Sequence, residues 1–273
     1  FNTGDWNGIG TDSFLLEKSF ELKADLDFGY VDGNFTPIGG DDLSTGNPFH
    51  GELFSNNFSL KRVTRSSAAI DGGGKTSAGL IPMLFGGKIG RWGEPLRIKG
   101  LQLTCNHASC GVVGEARNSN ISIVVEDGVI NGASFDNIGG IVGKISSDGL
   151  HDSWNRINHS GFSGSITAGT GSYIGGFVGY GDFAGGSETI HVEIENSYAH
   201  LTSISGGGYV AGMIGMFNGS VDFDDSYVLL DKDQAHSGED ISSTSSSTYG
   251  LMGMNTGGGD FEIDDVYIHY ANA

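Results

Sequence analysis

The chain has 273 residues, of which 48 are glycine and only 4 proline, and its formal charge is −19. Glycine without a Gly-X-Y period excludes collagen, and the steady supply of Val, Ile, Leu, Phe and Tyr excludes a disordered chain. Fourteen Lys and Arg leave no clustered basic footprint for nucleic acid, and no apolar run is long enough to span a membrane.

Many short apolar runs between many glycine turns are an all-β pattern. A chain that opens at Phe1 with no signal segment reads as a processed form or a piece of a longer protein. In residues 1–75, "SFELKADLDFGYVDGNFTPIGG" alternates apolar and polar residues before a Pro-Ile-Gly-Gly turn, and "FHGELFSNNFSLKRV" supplies a further pair of strands. This stretch lacks the repeats of the later residues and is read as an atypical N-terminal cap with the first coil. "GGGK" at 72–75 lacks the spacing of a phosphate-binding loop.

From residue 76 to 273 a glycine phrase recurs: "AGLIP", "CGVVG", "GGIVG", "GGFVG", "AGMIG" and "YGLMG". Its second positions are Gly79, Gly111, Gly140, Gly176, Gly212 and Gly250, at spacings of 32, 29, 36, 36 and 38 residues. Periods of this size with variable insertions mark stacked structural units. A second phrase lies between them, at Ile194–Ala199, Phe223–Val228 and Ile263–Ile268, with an earlier copy assigned to Ile98–Leu103. Its first, fourth and last columns are apolar or small and point inward. The fifth (Gln102, Tyr198, Tyr227, Tyr267) points outward, and the third (Gly100, Asn196, Asp225, Asp265) marks a bend. One such unit cannot bury its apolar face, but a stack can. The expected fold is an all-β, right-handed parallel β-helix, or β-solenoid. A β-propeller needs about four strands per blade, and 29 residues leave little room for them.

Cys105 and Cys110 in "TCNHASCG" are placed to close a small disulfide loop. Two reduced thiols, or a zinc site with His107 and no visible fourth ligand, are the alternatives.

Together "FELKADLDF", "FTPIGG", "FHGELFSNNFSL" and the repeated "GGFVG…IENSYA" and "AGMIG…DDSYV" resemble the GLUG-motif repeat family. That family occurs in secreted or surface-anchored bacterial proteins, including adhesins and the non-catalytic regions of IgA-peptidase-like proteins. The resemblance runs from about Phe20 to Tyr267, with Pro82, Ala211 and Tyr249 departing from the glycine pattern. It implies architecture and an extracellular or cell-surface location, and it transfers no catalytic residue.

Tyr198, Tyr227 and Tyr267 form an expected aromatic ladder, either a packed column of the wall or a platform for sugar rings. Asp225 and Asp265, on successive coils, and Asp231 and Asp233, in "DKDQAHSGED", are candidate calcium ligands, against a reading as solvated acidic corners. The histidines are scattered, with no H-E-x-x-H pair, and no G-x-S-x-G motif is present. The leading expectation is therefore a non-enzymatic, adhesin-like region of a larger surface or secreted protein, binding a glycan or a host or cell-surface protein. A carbohydrate-active β-helix lyase or hydrolase and a passive spacer are the alternatives.

Overall fold

The computed structural model describes residues 3–40, 46–66, 77–106, 109–132, 137–170, 173–182, 189–231, 241–243, 248–256 and 259–271. The protein is a parallel β-solenoid of about six turns. Each turn visits four faces in order. Face 1 is a short strand, such as Tyr173–Gly175, and face 2 a longer one, such as Val178–Asp182. Face 3 comes next, as in Ile190–Glu195, and face 4 is the longest, as in Tyr198–Gly207. Among the described residues faces 1 and 2 hold six rungs and faces 3 and 4 hold eight.

The extra rungs lie in the N-terminal region. Ser19–Glu21 and Glu52–Phe54 open face 3, while Leu26–Asp27 and Ser59–Ser66 open face 4. A helix, Thr3–Ile9, brings Trp6 against Phe28 and Phe35, and all three rings are buried. The cap also protects the sheet edge. The amides of Ile38 and Phe49 donate to the carbonyls of Leu80 and Met83 at 3.0 and 2.8 Å, on or beside the first face 2 strand. Pro82 sits in that edge strand, Ile81–Phe85, where a missing N–H is tolerated.

The core is a set of columns. On face 3 the inward column is Phe20, Leu53, Ile89, Ile121, Ile157, Ile194, Phe223 and Ile263. On face 4 it is Leu26, Leu60, Ile98, Val125, Phe162, Ala199, Val228 and Ile268. The Ile98–Leu103 phrase thus belongs wholly to face 4, and Ile98 aligns with Ala199 rather than with Ile194. Gly100 does have a positive φ of 75°. Its bend, however, is a bulge within face 4, which Arg62 and Asp127 reproduce in the neighbouring rungs. Gln102 accordingly lies outside the tyrosine column.

The true early copy is Ile157–Phe162, whose pattern is hidden by His159 and Gly161. His159, Asn196, Asp225 and Asp265 turn the corner between faces 3 and 4 in the left-handed region, with φ between 45° and 50°. In three of these corners the next residue is a buried serine that clips two coils together. Ser160, Ser197 and Ser226 donate to the carbonyls two residues back at 3.0, 2.7 and 2.8 Å. They accept from the amides of Ile123, Ser160 and Ser197 in the preceding coil at 3.0, 3.2 and 3.2 Å.

The glycine phrase turns the corner between faces 1 and 2. Its glycines are needed for close approach rather than for φ. A Cβ on Gly111 would meet the Gly139 carbonyl oxygen, the Gly143 amide nitrogen and the Ile141 carbonyl oxygen at 2.8, 2.8 and 2.9 Å. The Cys105–Cys110 disulfide joins face 4 to face 1 at the preceding corner. One coil later the opposing residues are Gly132 and Ile138, and the Ile138 side chain fills the space above the glycine. The disulfide thus takes the place of a hydrophobic contact. Its sulfurs are committed to each other and not to a metal; His107 lies outside the described residues.

Candidate functional site

Coil stacking brings Tyr198, Tyr227 and Tyr267 into one register column on the outer side of face 4. Tyr198 and Tyr227 stack with ring centroids 5.5 Å apart and planes 13° apart. Tyr198 is half-buried because its ring covers Gly161. Burial, and then the neighbouring Tyr227, push its hydroxyl pKa up. Exposure grows along the column, to 44% at Tyr227 and 66% at Tyr267.

The acidic residues fall into two columns on face 3. Glu193, Asp222 and Glu262 are opposite one another, as are Glu195, Asp224 and Asp264. Partners in adjacent rungs are about 5 Å apart, so these carboxylates repel one another. Burial, followed by Glu262, Glu193, Asp224 and Asp264, raises the pKa of Asp222. Asp222 lines a shallow groove of 240 Å³ with Trp154, His191 and Glu193. Asp225 and Asp265 occupy successive corner positions beside these columns. Among the described residues no group of three or more His, Cys, Asp and Glu is gathered as a metal site. A calcium ion between Asp225 and Asp265 therefore has to find its remaining ligands elsewhere. Asp231 closes the strand Tyr227–Asp231, and Asp233 lies outside the described residues.

A different group stands out on the N-terminal half of face 3. Ile89 and Leu96 oppose Ile121 and Ile123, so seven sequence steps answer two. The extra residues form a tight hairpin in which Arg91 and Glu94 exchange backbone hydrogen bonds of 3.1 and 2.9 Å. Gly93, with φ 74°, completes the turn. Trp92 projects from its tip, 62% exposed, and its ring rests on His159 at 4.3 Å. Beside it runs a groove of 390 Å³ lined by Lys88, Arg91, Asn120, Arg156, Asn158 and Glu52, among others. Trp154, 63% exposed, stacks flat on His191 at 3.8 Å and shares face 3 with Arg156.

Sequence reasoning passed over this hairpin. The available signal was "GRWGEP", a tryptophan in a glycine turn next to an arginine, where an aromatic ring gains nothing from burial. Two other groups were also missed. Tyr173 stacks on Tyr180 and Tyr209 at 4.8 and 6.0 Å. Glu115 is buried at 1% exposure and is held by Arg117 at 2.8 Å and by Ser146 at 2.5 Å.

Fold and surface together define a β-solenoid whose outer wall carries aromatic rings between polar and charged columns. No family model matches the chain, and no solved structure matches it. The GLUG resemblance therefore rests on its motifs alone. Among curated proteins the chain is similar to Halomucin of Haloquadratum walsbyi, 27% identical over 204 residues, which is 64% of this chain and 2% of Halomucin. The chain spans about 2% of the length of the curated relative it matches.

Proposed function

We propose that the chain is a non-enzymatic, adhesin-like region of a larger extracellular or cell-surface protein, built from GLUG-type repeats. Its outer wall on faces 3 and 4 binds a glycan or a cell-surface protein. The observation that carries this reading is the exposed aromatic set of Trp92, Trp154, Tyr227 and Tyr267 on faces 3 and 4. Flat rings suit sugar faces, and exposed tryptophan and tyrosine rings serve as anchors at interfaces. The likeness to a protein named as a mucin fits an extracellular setting. A glycan array and a panel of cell-surface proteins, probed with the purified chain with and without calcium, test it. Specific binding that falls when Trp92, Trp154, Tyr227 and Tyr267 are replaced together supports the reading. Blank results on both platforms reject it in favour of a passive spacer.

A second reading has one observation in its favour. Asp222 has a raised pKa and sits between Glu193 and Glu262 in a groove beside Trp154. The rung spacing of about 5 Å matches the carboxylate separation of retaining glycoside hydrolases. On this reading Asp222 is the proton donor. Release of reducing sugar from a polysaccharide panel, abolished by Asp222→Asn, supports it, and no release on any member rejects it.

A further inference from the structure

We infer that the Trp92 groove on face 3 is a saccharide site selective for sugars that carry a carboxylate. This deepens the adhesive reading and rests on it. Three independent features converge on the groove. The first is topological: a hairpin is inserted at one corner of one coil, and insertions in solenoids gather as loops on one face, often the binding face. It positions a single exposed tryptophan over a wall of flat strands.

The second is chemical. The floor presents the side-chain amides of Asn120 and Asn158, which form no hydrogen bond among the described residues. Each offers a donor and an acceptor to sugar hydroxyls. The groove volume of 390 Å³ accommodates a short oligosaccharide rather than a protein surface.

The third is electrostatic. The chain carries −19 overall, yet three cations, Lys88, Arg91 and Arg156, gather at this groove, each facing one carboxylate, Glu52, Glu21 and Glu193 in turn, so the charge here is balanced where the later coils of face 3 are acidic. Lys88 pairs with Glu52 at 2.9 Å and Arg156 with Glu193 at 2.7 Å, both on half-exposed side chains. Such pairs are held loosely and exchange partners at little cost. Arg91 is the most available. Its guanidinium lies over Phe54 at 3.8 Å, and its contact with Glu21 is 3.5 Å. In the bound state the sugar ring stacks on the face of Trp92 away from His159, and its carboxylate meets Arg91 and Lys88. The acidic columns in the later coils repel the same ligand, which confines it to this end of face 3.

The test is calorimetric titration of the whole chain with trigalacturonate, and with maltotriose as the neutral probe, at low and high salt. Trigalacturonate is expected to bind more tightly than maltotriose, with an advantage that shrinks in salt. Trp92→Ala is expected to weaken binding at least tenfold, and Arg91→Met to remove the preference for the acid. Phe14→Ala and Tyr249→Ala, at exposed aromatic rings outside faces 3 and 4, are expected to leave binding unchanged. All four side chains are exposed, and unchanged circular dichroism checks the fold of each variant. Equal affinity for both sugars, no binding of trigalacturonate, or binding indifferent to Trp92→Ala overturns the inference. If trigalacturonate does not bind while the array finds ligands that need Trp154 or Tyr227, the adhesive reading stands and this site falls. If no glycan or protein binds, both fall.

Discussion

Gly111→Ala is the sharpest test of why the glycine phrase repeats. Coils in such a stack are about 4.8 Å apart. The new Cβ would lie 2.8 Å from two backbone atoms of the next coil, whereas ordinary contact begins at 3.4 Å. Relief requires the two coils to open by 3.4 − 2.8 Å, about 0.6 Å, because backbone on both sides leaves no flexible side chain to yield. Adding that to the 2.9 Å bond from the Val113 amide to the Ile141 carbonyl gives about 3.5 Å, the end of the hydrogen-bonding range. Overpacking and one weakened buried backbone bond together cost about 3 kcal/mol. In a chain of this size that lowers Tm by about 6–12 °C. Thermal melting by circular dichroism measures it, with hydrogen exchange at the Val113 amide reporting the local opening. Gly8→Ala is the control. Gly8 lies in the helix Thr3–Ile9 with nothing near its Cβ, and alanine there is expected to be neutral or to stabilise by up to about 1 kcal/mol. If Gly111→Ala melts with the parent protein, or Gly8→Ala falls as far, close coil approach is not why the glycine is there.

Arg117→Ala leaves the Glu115 carboxylate buried without its cation. The loss is about 2 kcal/mol in urea unfolding, below the range for a fully buried pair because Arg117 is partly exposed, whereas Arg97→Ala in an exposed pair is expected to change stability little. The raised pKa of Asp222 means the folded state holds that proton more tightly. Its contribution is therefore favourable below the ordinary 3.8 and is lost as pH rises through the raised value. Asp222→Asn should accordingly raise Tm at neutral pH in low salt, with the gain shrinking at about 1 M salt as the neighbouring carboxylates are screened while the part due to burial remains; a gain that salt leaves unchanged refutes the repulsion. Asp148 shows the opposite sign. The backbone amide of Leu150, then the imidazole and the amide of His151, hold its pKa at about 2, so it stabilises its loop above 3.8 and that support is lost as pH falls through about 2. Carbon-detected NMR titration of its carboxyl checks the value.

The solenoid was legible in the sequence because its core is a one-dimensional repeat. Any residue that must fill the same column in successive coils recurs at the same place in the phrase, as Ile194, Phe223 and Ile263 do. The glycine phrase was legible for the same reason, since each corner brings two backbones to the same close distance. Register was harder to read. Ile98 and Ile194 are both apolar and each is followed by a bend two residues on, and apolarity alone does not say which face a strand occupies. Only pairing through Val125 and Phe162 to Ala199 settled it. Ile157–Phe162 was overlooked because the corner needs a left-handed residue and a small partner for Tyr198, demands that His159 and Gly161 meet without resembling Asn and Tyr.

The outer surface is where the tertiary structure decided. The tyrosine column could be read from the repeat because those residues share a phrase position. The Trp92 groove could not, because it gathers Lys88, Asn120 and Arg156 from three coils around an insertion present in only one. A repeating sequence determines its repeating interior, since every coil faces the same packing problem. The Trp92 groove comes from a departure from the repeat, and its residues come together only when stacking sets positions dozens apart in sequence about 5 Å from one another.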